Sequence, residues 1–191
     1  MTTDTRRARE GYLFLAGFTL CIPAANWLIG NAGTVCVPNG PCLIPVVPFV
    51  YPDLMAPSGV LMIGLALVLR DLVQRRLGIP SVLIAIILGA LLSSAIAPSA
   101  LVIASGVAFL LSELADFAVY TPLQRRRFIL AVLLSGLVGL VVDSAVFLYL
   151  AFGSLDFLAG QVVGKTWMIV LSLPLIAWLR ARDARLGIQP A

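Results

Sequence analysis

The chain has 191 residues, 61% of them apolar, with a mean hydropathy of +1.06 and a formal net charge of +4. Soluble domains are only about half apolar, so this composition excludes an ordinary globular fold. Histidine is absent, which removes Ser-His-Asp and Cys-His catalysis, histidine-ligated haem and most zinc sites, and the three cysteines show no CxxC spacing.

The apolar residues come in runs of about 18–22, enough to cross roughly 30 Å of hydrocarbon, and lack the period-2 alternation of barrel strands. The expected class is an all-α polytopic membrane protein, with a single transmembrane domain over residues 1–191 and six helices in one compact bundle. The spans fall near 12–29, 58–74, 80–97, 100–120, 128–151 and 158–179, with an outer loop at 30–56. Twelve of the thirteen basic residues form four groups of three: Arg6, Arg7, Arg9; Arg70, Arg75, Arg76; Arg125, Arg126, Arg127; and Arg180, Arg182, Arg185. Groups at alternate helix ends follow the positive-inside rule, so the basicity reports topology rather than nucleic-acid binding. Both termini are expected to be cytoplasmic.

Residues 1–10 read as a short cytoplasmic tail and Tyr12–Ile29 as the first span. Asn26 and Trp27 sit near its outer end, where Trp27 is an interfacial anchor or, in a second reading, a ring that stacks on a ligand. Gly30–Ala56 carries five prolines, Cys36 and Cys42, and no lysine or arginine. Such proline density rules out a continuous helix, yet VVPFVY (Val46–Tyr51) is too apolar for a freely solvated loop. The expectation is an outer loop folded back over the bundle as a lid, with a disulfide open to Cys36 and Cys42 if that face is oxidising.

Ser58–Leu72 reads as the second span, closed by Arg70-Asp71, Arg75-Arg76 and Gly78. Asp71 beside Arg70 reads most simply as a solvated or locally paired helix end. Pro80–Ala97 is an uncharged scaffold span with proline in its first turn. A short turn at Pro98-Ser99 then makes spans three and four antiparallel neighbours.

Ser105–Arg127 (SGVAFLLSELADFAVYTPLQRRR) is a membrane-grade apolar stretch that carries Glu113 and Asp116 and is expected to stop at Thr121-Pro122. The two carboxylates lie about 60° apart on a helix, with Ser105, Phe109 and Ser112 on the same face. A charge at the centre of a spanning helix costs roughly 2.5–3.5 kcal/mol on insertion scales, so these groups turn toward protein or a wet cavity. A polar packing seam and a solute site both satisfy that requirement. Phe128–Ala151 places Asp143 in its outer half, with Gly136, Gly139 and Phe147 on the same face. Leu158–Leu179 carries Gln161, Lys165, Met168 and Ser172 on one face, and a GxxxG at Gly160 and Gly164.

Counting depth along the helices puts Asp143 and Lys165 at matching height, which suggests an ion pair that lowers the cost of burying either alone. Snorkelling of Lys165 to the interface is the alternative. Glu113 and Asp116 fall lower. The four charges thus mark a polar path through a bundle, an arrangement suited to transport better than to enzymology.

The strings SELADFAVYTPLQRRR, GLVVDSAVFLYLAFG and GQVVGKTWMIVLSLPLIAWL, with GLALVLRDLVQRRLG before them, resemble the bacterial queuosine-precursor transporters, also called the vitamin uptake transporter family. The likeness spans roughly Gly64–Leu179 and rests on the order and spacing of charged residues within six spans. It implies a multi-pass protein of the bacterial inner membrane, similar in fold to the substrate-binding components of energy-coupling-factor transporters. By position, Asp71, Glu113, Asp116, Asp143 and Lys165 match that family's polar membrane residues.

The implied activity is secondary import of a 7-deazaguanine queuosine precursor (preQ0/preQ1-like), with no enzymatic role, cofactor or metal. A guanine-like edge sets an N–H beside an amino group, matching the two oxygens of a carboxylate. Glu113 or Asp143 would accept from it, Lys165, Gln161 or Asn26 would stand near the carbonyl, and Trp27, Phe109 or Phe147 would cover the ring. Asp116, Asp71 and Arg70 would serve a polar path or coupling. The expected partners are a small purine-like substrate and the lipid bilayer, with a homodimer left open. The competing readings are a substrate-binding subunit with an ATP-driven partner, a non-transport structural protein, and a membrane enzyme. Span one lacks the small-xxx-small pattern that helps such subunits dock, which favours the stand-alone importer.

Overall fold

The computed structural model describes residues 3–38, 41–97 and 102–188, so the expected turn at Pro98-Ser99 lies outside the described residues. Six helices are present: α1 (Thr3–Asn31), α2 (Val60–Leu77), α3 (Ile79–Ile96), α4 (Val102–Leu123), α5 (Phe128–Phe152) and α6 (Leu158–Leu186). Between α1 and α2 lie β1 (Val35–Cys36), β2 (Cys42–Val47) and β3 (Tyr51–Pro57). The class is all-α polytopic: α1, α3, α4, α5 and α6 are each long and apolar enough to cross a membrane.

Breakers set the joints. Gly78, at φ 85° and ψ 177°, holds a backbone conformation that side chains resist, so α2 turns directly into α3 with no loop between them. Gly153, at φ 65°, closes α5 with a left-handed cap whose N–H reaches Tyr149 O. The stop expected at Thr121-Pro122 is displaced, since α4 continues through Pro122 to Leu123.

The larger correction concerns α2. Its helix does not end at Leu72 but runs on to Leu77, and everything from Arg70 to Arg76 is buried. Asp71 is therefore no solvated helix end, and Arg70 does not belong with Arg75 and Arg76 at the membrane surface. The reason is position. α2 packs against all five other helices, so its charged residues face protein on every side. Four charges interrupt its apolar run, so among the helices of the described residues α2 alone is not apolar enough to cross a membrane by itself.

The surface is inverted relative to a soluble bundle. Ile84, Ile87, Leu88 and Leu91 of α3 are exposed, as a lipid-facing helix requires. Lipid gives apolar faces no reason to leave it, so close packing must hold the helices together, and small residues permit it. A Cβ on Gly64 would stand 2.6 Å from the Lys165 carbonyl oxygen, so α2 and α6 touch backbone to backbone there. The GxxxG of α6 serves packing within the chain: Gly160 abuts the Met55 carbonyl and Gly164 abuts Val60 and Val46.

The segment expected to be an irregular loop is a three-stranded antiparallel sheet in the order β1-β2-β3. Pro45 lies in β2 beyond the reach of the two-residue β1, and Pro52 and Pro57 lie in the edge strand β3, where a missing ladder donor matters least. Cys36 opposes Cys42 across the β1–β2 pair and the two form a disulfide. Trp167 of α6 donates its indole N–H to Val46 O at 2.9 Å, and Val46, Ala56 and Val60 form a small core beneath the sheet. The opposite end of the bundle is ionic. Arg76 grips Asp183 with two nitrogens at 2.8 and 2.9 Å and Glu10 with a third at 3.0 Å, joining the ends of α1, α2 and α6.

Candidate functional site

Below the sheet lies a cavity of about 450 Å³ walled by α1, α2, α4, α5 and α6. That volume suits a small organic solute. Its polar wall comprises Asn26, Ser105, Ser112, Glu113, Asp143 and Gln161, and Phe109 and Phe147 contribute aromatic rings. Pro41 and Pro57 from the sheet region complete the lining near one end.

The charges behind this wall form two separate nodes. In the first, Lys165 Nζ donates to Asp143 Oδ2 at 2.5 Å, Ser144 Oγ at 2.7 Å and Gln161 Oε1 at 2.8 Å. An ammonium has three hydrogens, and each has an acceptor. Lys165 is fully buried and stands behind the cavity wall rather than in it, so snorkelling does not occur. The depth match read from the sequence corresponds to this contact.

In the second node, Arg70 meets three carboxylates with three different nitrogens. Nη1 lies 3.0 Å from Asp71 Oδ1, Nε lies 3.0 Å from Glu113 Oε2, and Nη2 lies 2.6 Å from Asp116 Oδ1. Arg70, Asp71 and Asp116 have no exposed surface and Glu113 has 2%. The Ser135 hydroxyl of α5 donates to Asp71 Oδ2 at 3.1 Å. Gly139 permits this convergence, because a Cβ there would come within 3.0 Å of both Asp116 Cβ and Leu67. Arg70 also donates to Gln74 Oε1 at 3.3 Å, and Gln74 Nε2 donates to Thr121 Oγ1 at 3.0 Å, extending the node toward the ionic end.

Taken together, the two cations aim the wall. Glu113 gives Oε2 to Arg70, Asp143 gives Oδ2 to Lys165, and Gln161 gives Oε1 to Lys165. Glu113 Oε1, Asp143 Oδ1 and Gln161 Nε2 make no protein hydrogen bond among the described residues. The cavity therefore offers two carboxylate acceptors and one amide donor whose parent groups are each anchored through the other atom. Asn26 donates its amide to Ile22 O at 3.0 Å, leaving its oxygen unused in that bond.

Of the residues singled out from the sequence, the structure gathers Asn26, Phe109, Glu113, Asp143, Phe147 and Gln161 around one cavity. Trp27 is 61% exposed and lies off it. Arg70, Asp71 and Asp116 lie behind Glu113. Sequence reasoning missed Arg70 as the shared partner of Glu113 and Asp116, and it missed Ser144, the third acceptor of Lys165. A signal for Ser144 existed, since it adjoins Asp143 in the chain. Arg70 was expected on a polar path with Asp71 and Asp116, but nothing marked it as their central partner, since it also looked like one member of a surface triplet.

A family model described as "Putative vitamin uptake transporter" matches residues 96–179. The matched segment covers all of α4 and α5 and most of α6, and so includes Glu113, Asp116, Asp143, Gln161 and Lys165. No curated protein matches the chain, and no solved structure does. With five helices able to cross a membrane, the match supports a multi-pass membrane protein similar to vitamin uptake transporters.

Proposed function

We propose that this chain imports a small planar purine-like solute, a 7-deazaguanine of the preQ0/preQ1 type, by secondary transport across a bacterial inner membrane, with its ionic end facing the cytoplasm. The observation that carries this reading is the set of free atoms at Glu113, Asp143 and Gln161, held by buried cations around a cavity that also contains Phe109 and Phe147. A guanine-like edge presents two adjacent donors and one carbonyl acceptor. A carboxylate can accept both donors, the Gln161 amide can donate to the carbonyl, and either phenylalanine can cover the ring. In this reading Lys165 positions Asp143 and Gln161 and does not touch the solute.

The test is binding and uptake by the purified protein. Calorimetry in detergent with 7-deazaguanine should show Glu113→Gln and Asp143→Asn each weakening binding by about 1.5–3 kcal/mol, the range for hydrogen bonds to charged groups. Asp116→Asn should weaken it far less. A deazapurine lacking the exocyclic amine should bind poorly to the parent, because a buried acceptor would be left unpaired. Liposomes holding this protein and no ATPase should accumulate the labelled compound. If both cavity variants bind like the parent, the site assignment fails. If uptake appears only with an added ATPase partner, the secondary-transport assignment fails.

A further inference from the structure

The node around Arg70 does not balance. One guanidinium faces three carboxylates, so full ionisation would leave two surplus negative charges in a space with almost no exposed surface. An uncompensated charge in such surroundings is heavily disfavoured. The neighbours offer no remedy. Lys165 is fully engaged with Asp143, and Arg75, one turn further along α2, lies against Asp183 and the Phe128 ring.

The unmet valences are specific. Asp116 Oδ2 is buried and makes no hydrogen bond, and its other oxygen contacts Arg70 without hydrogen-bond alignment. Ser135 lies against both Asp71 and Asp116 and has one hydrogen, so it can serve only one of them at a time; its hydrogen-bond contact at 3.1 Å is to Asp71. Tyr120 OH, one turn beyond Asp116 on α4, is fully buried with no hydrogen-bond partner. Among the described residues, the charged or titratable groups facing Asp116 are Arg70 and Asp71 from α2 and Glu113 and Tyr120 from α4. From α5, Ser135 and Gly139 lie against it, with Asp143 beyond Glu113.

We propose that the Arg70 node is the binding site of a co-transported proton, carried by Asp116 and shared with Asp71, and that Glu113 links this proton to the solute in the cavity. The inference rests on the transport reading above. The proton adds to Asp116 Oδ2, the atom with no partner, and reduces the surplus by one charge. Arg70 is then released to hold Glu113 ionised, with Oε1 turned to the solute's donors. Coupling of this kind is reciprocal, so bound solute also favours the bound proton. On the inward side the proton leaves Asp116 directly for water that reaches the node; Gln74 and Thr121, whose hydrogen bonds run along the Arg70–Gln74–Thr121–Phe117 chain, hold Arg70 in place and do not carry the proton.

The experiment has two arms. Infrared difference spectroscopy of the reconstituted protein at neutral pH, without any solute, should show a buried protonated carboxyl band that disappears in Asp116→Asn. In liposomes with an acidic exterior, the parent should concentrate 7-deazaguanine about tenfold per unit of pH gradient, the limit for one proton per solute. Asp116→Asn should lose that accumulation while still exchanging labelled for unlabelled compound. A parent spectrum with no such band overturns the proposal, as does an Asp116→Asn variant that accumulates at the parent's rate. If the parent moves no 7-deazaguanine, the solute assignment fails, and the infrared arm alone decides the proton site.

Discussion

Two of the buried cations, Lys165 and Arg70, stand behind the cavity wall, and they are buried in different ways. Lys165 has one carboxylate and two neutral acceptors, so its surroundings are electrically closed and each hydrogen has a place. Arg70 has three carboxylates, and its surroundings carry a surplus. Both hold a cavity carboxylate in position, Asp143 in one case and Glu113 in the other. A closed node makes a fixed wall, whereas a surplus node makes a wall whose charge can change.

Removing the cations should expose that difference most strongly. Arg70→Met leaves three carboxylates without a partner and should cost about 3–5 kcal/mol, read from thermal unfolding in detergent. A variant as stable as the parent would show that the carboxylates are already neutral without Arg70. Lys165→Met should cost less, about 1–3 kcal/mol, because Asp143 borders the cavity and can be rehydrated. Combining it with Asp143→Asn should restore part of the loss, and strict additivity of the two would argue against their contact.

Backbone crowding gives a smaller, more selective lever. Gly64→Ala pushes on the Lys165 backbone and Gly139→Ala pushes on the Asp116 side chain, so each disturbs one node. Overpacking of this kind costs about 1–3 kcal/mol. Gly64→Ala should be the worse, since its nearest atom is backbone rather than side chain. Gly139→Ala should alter the pH dependence of uptake more than the affinity for 7-deazaguanine, and the reverse would place Asp116 in the solute site. The least effect is expected from Trp27→Ala, which should change binding by less than about 0.5 kcal/mol. A larger loss would mean that the exposed ring folds onto the cavity.

The contrast also separates what the sequence discloses from what it hides. Asp143 and Lys165 could be matched because each is an isolated charge in an apolar run, so depth alone aligned them. Arg70 could not be matched because it stands five residues before Arg75 and looks like part of a membrane-surface cluster. Only the tertiary surroundings of α2, buried by five neighbours, distinguish the two readings. The sheet was hidden for a related reason: its prolines, which deny a helix, gave no sign that the strands around them would pair. The cavity residues Asn26, Phe109, Glu113, Phe147 and Gln161 were visible as types on helix faces, but the atoms left free depend on hydrogen bonds no spacing encodes.

The directness of the joint at Gly78 bears on how the chain is made. Arg70 and Asp71 together add about 5–7 kcal/mol to the cost of inserting α2 by itself. With no loop before α3, the two helices must enter the membrane as a hairpin, the strongly apolar second arm carrying the first. The partners that neutralise Arg70 across the bundle, Glu113 and Asp116, are synthesised only afterwards. For a chain inserted in that order, Arg70 and Asp71 would have each other and Gln74 as partners until α4 arrives. Arrival of α4 and α5 is thus what commits α2 to its place, and a chain interrupted after α3 would be the form most readily surrendered to quality control.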